Sequence, residues 1–193
     1  NRNMKISRLV EPTSLQKAHV VSCESSFAMR YLHERHPHLK LLQIEHAPAP
    51  IFAEVIRQPQ LNPIRILCLG HLSTAKGADV VVNALAPLTN DFPFELVWIG
   101  ASNPALEQEL RGKTGGAIWK RITLKQDLLP GEIAQEMARA TLLLHAARAD
   151  NSPNAVKEAV VAGVPVVATN TGGIPDYVST GLNGFLFESG NAD

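Results

Sequence analysis

Residues 141–176 read TLLLHAARADNSPNAVKEAVVAGVPVVATNTGGIPD, and this stretch decides the fold. Its two short apolar runs, 141–145 and 165–169, have the length and composition of buried strands. Between them, residues 155–162 form a nearly all-apolar segment that ends at Gly163, a residue favoured just after a helix. The order strand, helix, strand therefore predicts a βαβ unit with parallel strands.

The same alternation continues on both sides of this unit. We predict further strands at Ile64–Leu69, Leu96–Ile99, Ile122–Leu124 and Phe185–Phe187, and helices at Gly77–Leu88, Ala105–Arg111 and Pro130–Ala140. Successive strands begin roughly 20–30 residues apart, which leaves room for a crossover helix between parallel neighbours. We therefore expect an α/β fold with a Rossmann-like, doubly wound parallel sheet in residues 64–193.

The amino-terminal part of the chain follows a different pattern. It contains a single strand–helix–strand unit, which is too small to bury a core of its own. We interpret residues 1–50 as the tail of a preceding Rossmann-like domain. Residues 51–63 are interpreted as a linker, because the nearby Pro48 and Pro50 disfavour both a helix and a central strand.

The composition excludes several classes of protein. The 193 residues carry 18 Lys and Arg against 18 Asp and Glu, which argues against a nucleic-acid-binding protein that relies on bulk positive charge. The two cysteines, Cys23 and Cys68, exclude a disulfide scaffold and a cysteine-ligated zinc site, and they fit a reducing, cytoplasmic compartment. No apolar run approaches the roughly 18 residues of a membrane-spanning helix.

The first candidate site residues follow the strand at 64–69. Ligands of open parallel sheets bind beyond the carboxyl ends of the strands, so the loops at those ends are the places to search. Gly70, His71 and Lys76 lie in this loop, and a lysine beside the N–H groups of the next helix suits a phosphate. The motif is weak by itself, because a lysine at a helix start is more often a solvated surface residue.

Two later loops carry further candidates. Asp150 and Glu158 lie eight residues apart, where both carboxylates can face one cleft and accept hydrogen bonds from sugar hydroxyls. The alternative is a pair of helix-capping residues, although a carboxylate on an otherwise apolar helix needs a partner. Thr171, Gly172 and Gly173 begin a loop whose free N–H groups would suit an anion; the alternative is an ordinary loop.

The residues alone leave two positions open. His145 ends a predicted strand and is consistent with either a core histidine or a residue of the cleft. Lys125, Gln126 and Asp127 follow another strand, and topology alone places them beside a nucleotide base.

Taken in order, these motifs resemble a known family. The set comprises Gly70-x5-Lys76-Gly77, Asp150-x7-Glu158-Ala159, GVPVVAT at 163–169, GGIPD at 172–176 and Gly181-x2-Gly184-Phe185. It resembles the carboxyl-terminal, donor-binding half of a family 4 (group 1) glycosyltransferase of the GT-B type. Residues 14–50 resemble the last βαβ unit of that family's amino-terminal, acceptor-binding half, together with its hinge.

The resemblance implies a role for each candidate residue. Lys76 resembles the family's diphosphate-binding lysine, Glu158 resembles the glutamate that holds the donor ribose, and Asp150 stands where a glutamate touches the donor sugar. Donor binding is also implied for Gly70, His71, Asn154, Thr171, Gly172 and Gly173. His71 departs from the family, which usually has an arginine there, whereas Asp150 to Asn154 fit a D-N-x-P-N variant.

The function implied by the resemblance is that of a retaining glycosyltransferase of polysaccharide biosynthesis. The donor would be a UDP- or GDP-linked sugar, the acceptor a carbohydrate or lipid-linked molecule, and no metal or other cofactor would be required. We expect residues 64–193 to stop before the family's terminal helices, and the 193-residue chain alone not to transfer sugar.

The sequence also bears on the location of the protein and leaves two alternative functions open. We expect a cytoplasmic protein, with peripheral membrane contact through the preceding domain left open. One alternative function is a catalytically inactive relative that binds nucleotide sugars. The other is a different GT-B or Rossmann-like enzyme, such as a sugar-nucleotide epimerase or a dehydrogenase.

Overall fold

The computed structural model describes residues 13–192, and the chain divides into two compact units between His46 and Ala47. The first unit contains β1 (Val21–Cys23), α1 (Ser26–Arg35) and β2 (Leu41–Gln43), with the two strands parallel. Ser25 caps α1, because its Oγ accepts the N–H of Ala28 at 3.1 Å. The ends of the predicted segments 1–50 and 64–193, namely residues 1–12 and 193, lie outside the described residues.

The second unit is built on a six-stranded parallel sheet. Its strands are β3 (Ile64–Leu69), β4 (Phe94–Ile99), β5 (Ile122–Lys125), β6 (Leu142–His145), β7 (Val166–Thr169) and β8 (Gly184–Phe187). Its α-helices are α2 (Ala78–Leu85), α3 (Pro104–Thr114), α4 (Gly116–Trp119), α5 (Pro130–Arg139) and α6 (Asn154–Val161). The strand order is β5-β4-β3-β6-β7-β8, and every neighbouring pair is parallel, which confirms the predicted α/β, Rossmann-like fold.

Helices cover the two faces of this sheet with separate apolar cores. Val81 and Val82 of α2 pack on one face together with residues of α3 and α4. Met137 of α5 and Val156 of α6 pack on the opposite face. The central strands are therefore apolar at successive positions, because side chains of both faces are buried.

The direction of the chain through the sheet reverses between β3 and β6. From β3 the chain moves outward to β4 and β5, and it then returns to β6 and continues to β7 and β8. In sheets of this kind the reversal opens a crevice at the carboxyl ends of the two central strands. The loops that follow β3 and β6 border that crevice.

Two segments differ from their sequence-based descriptions. Residues 51–63, interpreted as a linker, group with the second unit, and the 3₁₀-helix Pro50–Glu54 places Phe52 in the same core as α5 and α6. The predicted helix Gly77–Leu88 is divided into α2 and a 3₁₀-helix at Pro87–Asn90. A proline inside a helix removes one backbone donor and clashes with the preceding turn, which explains the break.

Among residues 13–192, no helix has both the length and the apolar character needed to cross a membrane.

Candidate functional site

An ion pair joins the two loops that border the crevice. Lys76 lies in the loop after β3, and its Nζ donates to Oδ2 of Asp150, in the loop after β6, at 2.6 Å. The Asp150 side chain is only 12% exposed, whereas that of Lys76 is 33% exposed. The structure thus brings together two residues that lie 74 positions apart in the sequence.

Gly70, at the start of the loop after β3, is favoured by its backbone conformation and not by a lack of space. Its φ of 129° lies in the region that favours glycine, and a Cβ at this position would contact the Lys76 chain at 3.7–3.9 Å. The Gly70 carbonyl also accepts the indole N–H of Trp98 at 2.8 Å. The loop therefore starts from a fixed point at the end of β3.

Asp150 is held by a second side chain. His145, the last residue of β6, is 4% exposed, and its Nε2 lies 3.2 Å from the same Oδ2 that Lys76 contacts. Burial raises the pKa of Asp150, but the hydrogen bonds from His145 and Lys76 outweigh it, so that this pKa lies below its ordinary value. Asp150 is therefore an ionised acceptor, and within the described residues its Oδ1 has no hydrogen-bond donor.

The loop after β7 contacts Asp150 through the backbone. The N–H of Gly173 donates to the Asp150 carbonyl at 2.9 Å, and that of Ile174 donates to the Thr171 carbonyl at 3.1 Å. The N–H of Thr171 donates to the Thr169 carbonyl at 3.0 Å. The prediction of free N–H groups is therefore wrong for Thr171 and Gly173. In the described part of this loop, the N–H of Gly172 keeps no protein acceptor.

Gly172 is required where the two loops touch. Its φ is 57°, and a Cβ there would lie 2.0 Å from the Asp150 carbonyl oxygen, far inside any normal contact. We expect Gly172→Ala to lower the free energy of unfolding by about 1–3 kcal/mol, measured by urea denaturation, because the backbone must move. Gly181→Ala is the matched control, since Gly181 also has a positive φ of 82° but nothing within 4 Å of its Cβ position. Equal losses in both variants would contradict the contact argument.

Glu158 stands apart from the ion pair. It is the fifth residue of α6, one turn from the helix start, and no hydrogen bond or ion pair of the described residues joins it to Asp150. Burial raises the pKa of this carboxyl, and the charge of Lys157 offsets only part of that rise. A half-buried carboxylate without a protein donor is costly, because burial disfavours its charged form.

The remaining candidates make no side-chain contact with the ion pair. His71 and Asn154 are exposed, and within residues 13–192 neither forms a hydrogen bond to Lys76 or Asp150. The Thr171 hydroxyl lies 3.5 Å from the Arg148 carbonyl oxygen. Lys125 is engaged elsewhere, because its Nζ donates to Glu136 at 2.8 Å.

Sequence reasoning missed one residue that connects the loops. Arg148 forms a bidentate ion pair with Asp79 of α2, at 2.7 and 2.8 Å, and also donates to the Thr74 carbonyl. Its own N–H donates to the Ala75 carbonyl at 3.0 Å. No motif marks Arg148, because the contact depends on α2 and the loop after β6 meeting in space.

A second missed residue, Lys157, is almost fully buried beside Glu158. Its Nζ donates to Oγ of Ser152 at 2.8 Å, and it lies 5.8 Å from the centre of the Tyr177 ring. The sequence predicts α6 to be apolar nearly all round, and a lysine on a short helix is usually solvated. Only the fold shows that this cation anchors the loop before α6.

Comparisons with known proteins relate the second unit of the chain to a family. Residues 63–193 match the family described as Glycosyl transferases group 1. A GDP-mannose-dependent alpha-(1-6)-phosphatidylinositol monomannoside mannosyltransferase of Mycolicibacterium smegmatis is 26% identical over 135 residues, which are 66% of this chain and 35% of that protein. The chain spans about a third of the length of the curated relatives it matches.

Solved structures share the fold. Sucrose-phosphate synthase from Thermosynechococcus elongatus superposes with a TM-score of 0.80 at 21% identity, over 95% of this chain and 49% of that one. Anabaena HepE in complex with UDP-glucose gives a TM-score of 0.75 at 21% identity, over 96% of this chain and 54% of that one. Because the family match covers well over half of its residues, the chain belongs to the group 1 glycosyl transferases.

Proposed function

We propose that this chain binds the nucleotide-sugar donor of a retaining, family 4 glycosyltransferase of the GT-B type, with residues 64–193 as the donor-binding domain. The observation that carries the proposal is the Lys76–Asp150 ion pair at the reversal of the sheet. Breaking a glycosyl–phosphate bond builds negative charge on the leaving diphosphate, and a cation in this crevice stabilises that charge. The similar proteins named above include a mannosyltransferase described as GDP-mannose-dependent and a protein whose structure was solved in complex with UDP-glucose.

Each side chain has a distinct part in this proposal. Lys76 and the free N–H of Gly172 contact the diphosphate, and Glu158 accepts hydrogen bonds from the ribose hydroxyls. Asp150 accepts a hydrogen bond from the donor sugar through Oδ1. The acceptor hydroxyl oxygen forms the new glycosidic bond, its proton passes to the leaving diphosphate, and the nucleoside diphosphate departs with the bonding electron pair. We propose that no metal is needed.

For the acceptor and the cellular location we propose only a general class. One relative is named for a phosphatidylinositol mannoside acceptor, and we propose a carbohydrate or lipid-linked acceptor here, in polysaccharide biosynthesis. Recognition of that acceptor would lie with the preceding domain. The tail of that domain would end at His46 and not at residue 50, because residues from Ala47 onward group with the second unit. We propose a cytoplasmic location for the protein, with the preceding domain facing the membrane when the acceptor is a lipid.

A panel of donors tests the proposal directly. Thermal shift and calorimetry with UDP-, GDP- and ADP-sugars should show that one nucleotide class binds and raises the melting temperature, because a ligand of the folded state stabilises it. The anomeric configuration of the product, read by proton NMR on the whole protein, then tests retention, and EDTA should leave turnover unchanged. Binding of none of these donors would refute the proposed function.

His71 favours one alternative, a relative that binds nucleotide sugars without turnover. The resemblance places an always-charged arginine at this position, whereas His71 is exposed and, within the described residues, has no ion pair. Weaker contacts with the diphosphate would still permit donor binding but would reduce catalysis. Donor binding by the whole protein without transfer to any acceptor would favour this alternative.

The same substitution predicts the effect of restoring a permanent charge at this position. The guanidinium of arginine is always charged, and it binds phosphate oxygens through charge-assisted hydrogen bonds. We expect calorimetry to show that His71→Arg binds the intact sugar nucleotide more tightly than the wild type does. His71→Asn, the neutral control, should bind no more tightly than the wild type. Equal affinities of His71→Arg and the wild type would show that residue 71 does not contact the diphosphate.

A further inference from the structure

We propose that His145 is a positioning residue that fixes the Asp150 carboxylate by its Oδ2 oxygen, so that Oδ1 stays available to a hydroxyl group of the donor sugar. The identity of the ligand in this inference rests on the proposed function. The contact between His145 and Asp150 is observed among the described residues whatever that ligand is. His145 was consistent from the sequence with either a core histidine or a residue of the cleft. The structure gives it a partner inside the candidate site.

The hydrogen bond between the two side chains has a defined direction. The carboxylate of Asp150 is ionised and can only accept, so the hydrogen of this contact is carried by Nε2 of His145. His145 is 4% exposed and Asp150 is 12% exposed, so water competes little for the 3.2 Å contact. A hydrogen bond to a charged group in such surroundings is among the stronger ones in proteins.

The backbone between the two residues is also fixed. The Ala147 carbonyl accepts the buried hydroxyl of Thr169 from β7 at 2.6 Å. The Arg148 N–H donates to the Ala75 carbonyl at 3.0 Å. His145 and Asp150 therefore face each other across a loop that is held from both sides, which is how a preorganised site keeps a side chain in place.

Lys76 cannot replace His145 in this role. Its Nζ contacts the same Oδ2, but its side chain is 33% exposed and, in the proposal above, turns toward the incoming diphosphate. Once Lys76 shares its charge with the diphosphate, the His145 contact remains to set the orientation of the carboxylate. Loss of His145 should therefore weaken binding of the donor's sugar moiety, whereas binding of the diphosphate should not change.

Two variants with matched ligands test this inference. His145→Leu removes the donor and keeps an apolar side chain in the buried position, whereas His145→Gln places an amide N–H where Nε2 was. We expect calorimetry to show about a 10-fold loss of affinity of His145→Leu for the sugar nucleotide, with unchanged affinity for the matching nucleoside diphosphate. His145→Gln should recover most of the loss. His33→Leu, at an exposed position of α1, is the control for the substitution itself.

The outcomes separate the possible roles of His145. Equal losses for both ligands, or a loss that glutamine does not recover, would show that His145 serves only the packing of the strand and would overturn the proposal. A carboxyl NMR titration adds a readout without any ligand, since the pKa of Asp150 should rise in His145→Leu; an unchanged pKa would also overturn it. A wild-type chain that binds no sugar nucleotide would refute the proposed function, while the titration would still decide whether His145 holds Asp150.

Discussion

Replacing Lys76 by alanine is expected to weaken binding of the sugar nucleotide by about 10- to 100-fold, because a hydrogen bond to a charged group contributes about 1.5–3 kcal/mol. The fold should survive, since Lys76 is one-third exposed and Asp150 keeps its hydrogen bond from His145. Calorimetry with the donor found in the panel measures the affinity. Circular dichroism checks the fold.

The ligand series makes this test specific for the diphosphate. Lys76→Ala should lose affinity for the sugar nucleotide and for the nucleoside diphosphate by the same factor, because both carry the group that Lys76 contacts. Lys113→Ala is the control for removing a cation, since Lys113 is exposed and, among residues 13–192, forms its ion pair with Glu109 on its own helix. Unchanged affinity in Lys76→Ala would show that the loop after β3 does not contact the phosphates.

The fold and the place of the site could be predicted from local patterns. Apolar runs such as Ile64–Leu69 predict the strands, and the spacing between the runs predicts parallel strands joined by crossover helices. Because ligands of such sheets bind at the carboxyl ends of the strands, the loops that border the site could also be predicted. The positions of Lys76 and Asp150 in those loops could therefore be predicted. Their direct contact was not, because it depends on the rotamers of two side chains far apart in the sequence.

The features that the sequence did not reveal are those decided by packing. Phe52 lies in a proline-bounded segment that reads as a linker, yet burial of its ring against the core attaches that segment to the second unit. His145 reads as the end of an apolar strand, and only the loop geometry turns it toward Asp150. Tertiary contacts of this kind leave no periodic signal.

Replacing Glu158 by glutamine is expected to weaken donor binding while it stabilises the free protein at neutral pH. In the proposed complex the carboxylate accepts hydrogen bonds from the ribose, and loss of its charge should cost about 10- to 100-fold in affinity. In the free protein the same carboxylate is half-buried and has no protein donor within the described residues. Burial therefore raises its pKa in the folded state.

The sign of the stability effect follows from that raised pKa. An acid whose pKa is higher in the folded state than in the unfolded state binds more protons when folded, so stability falls as the pH rises from about 4.3 through the raised value. Glutamine carries no charge and escapes this loss. The melting temperature of Glu158→Gln should therefore exceed that of the wild type at about pH 7 and approach it near about pH 4.

A matched glutamate separates this effect from a change in net charge. Glu109→Gln removes one negative charge at an exposed position, so it should alter neither the donor affinity nor the pH dependence of the melting temperature. Reduced donor affinity together with raised stability at neutral pH would identify Glu158 as a residue kept for its ligand at the expense of the fold. A Glu158→Gln variant that binds donor as tightly as the wild type would instead assign the ribose to another group of the crevice.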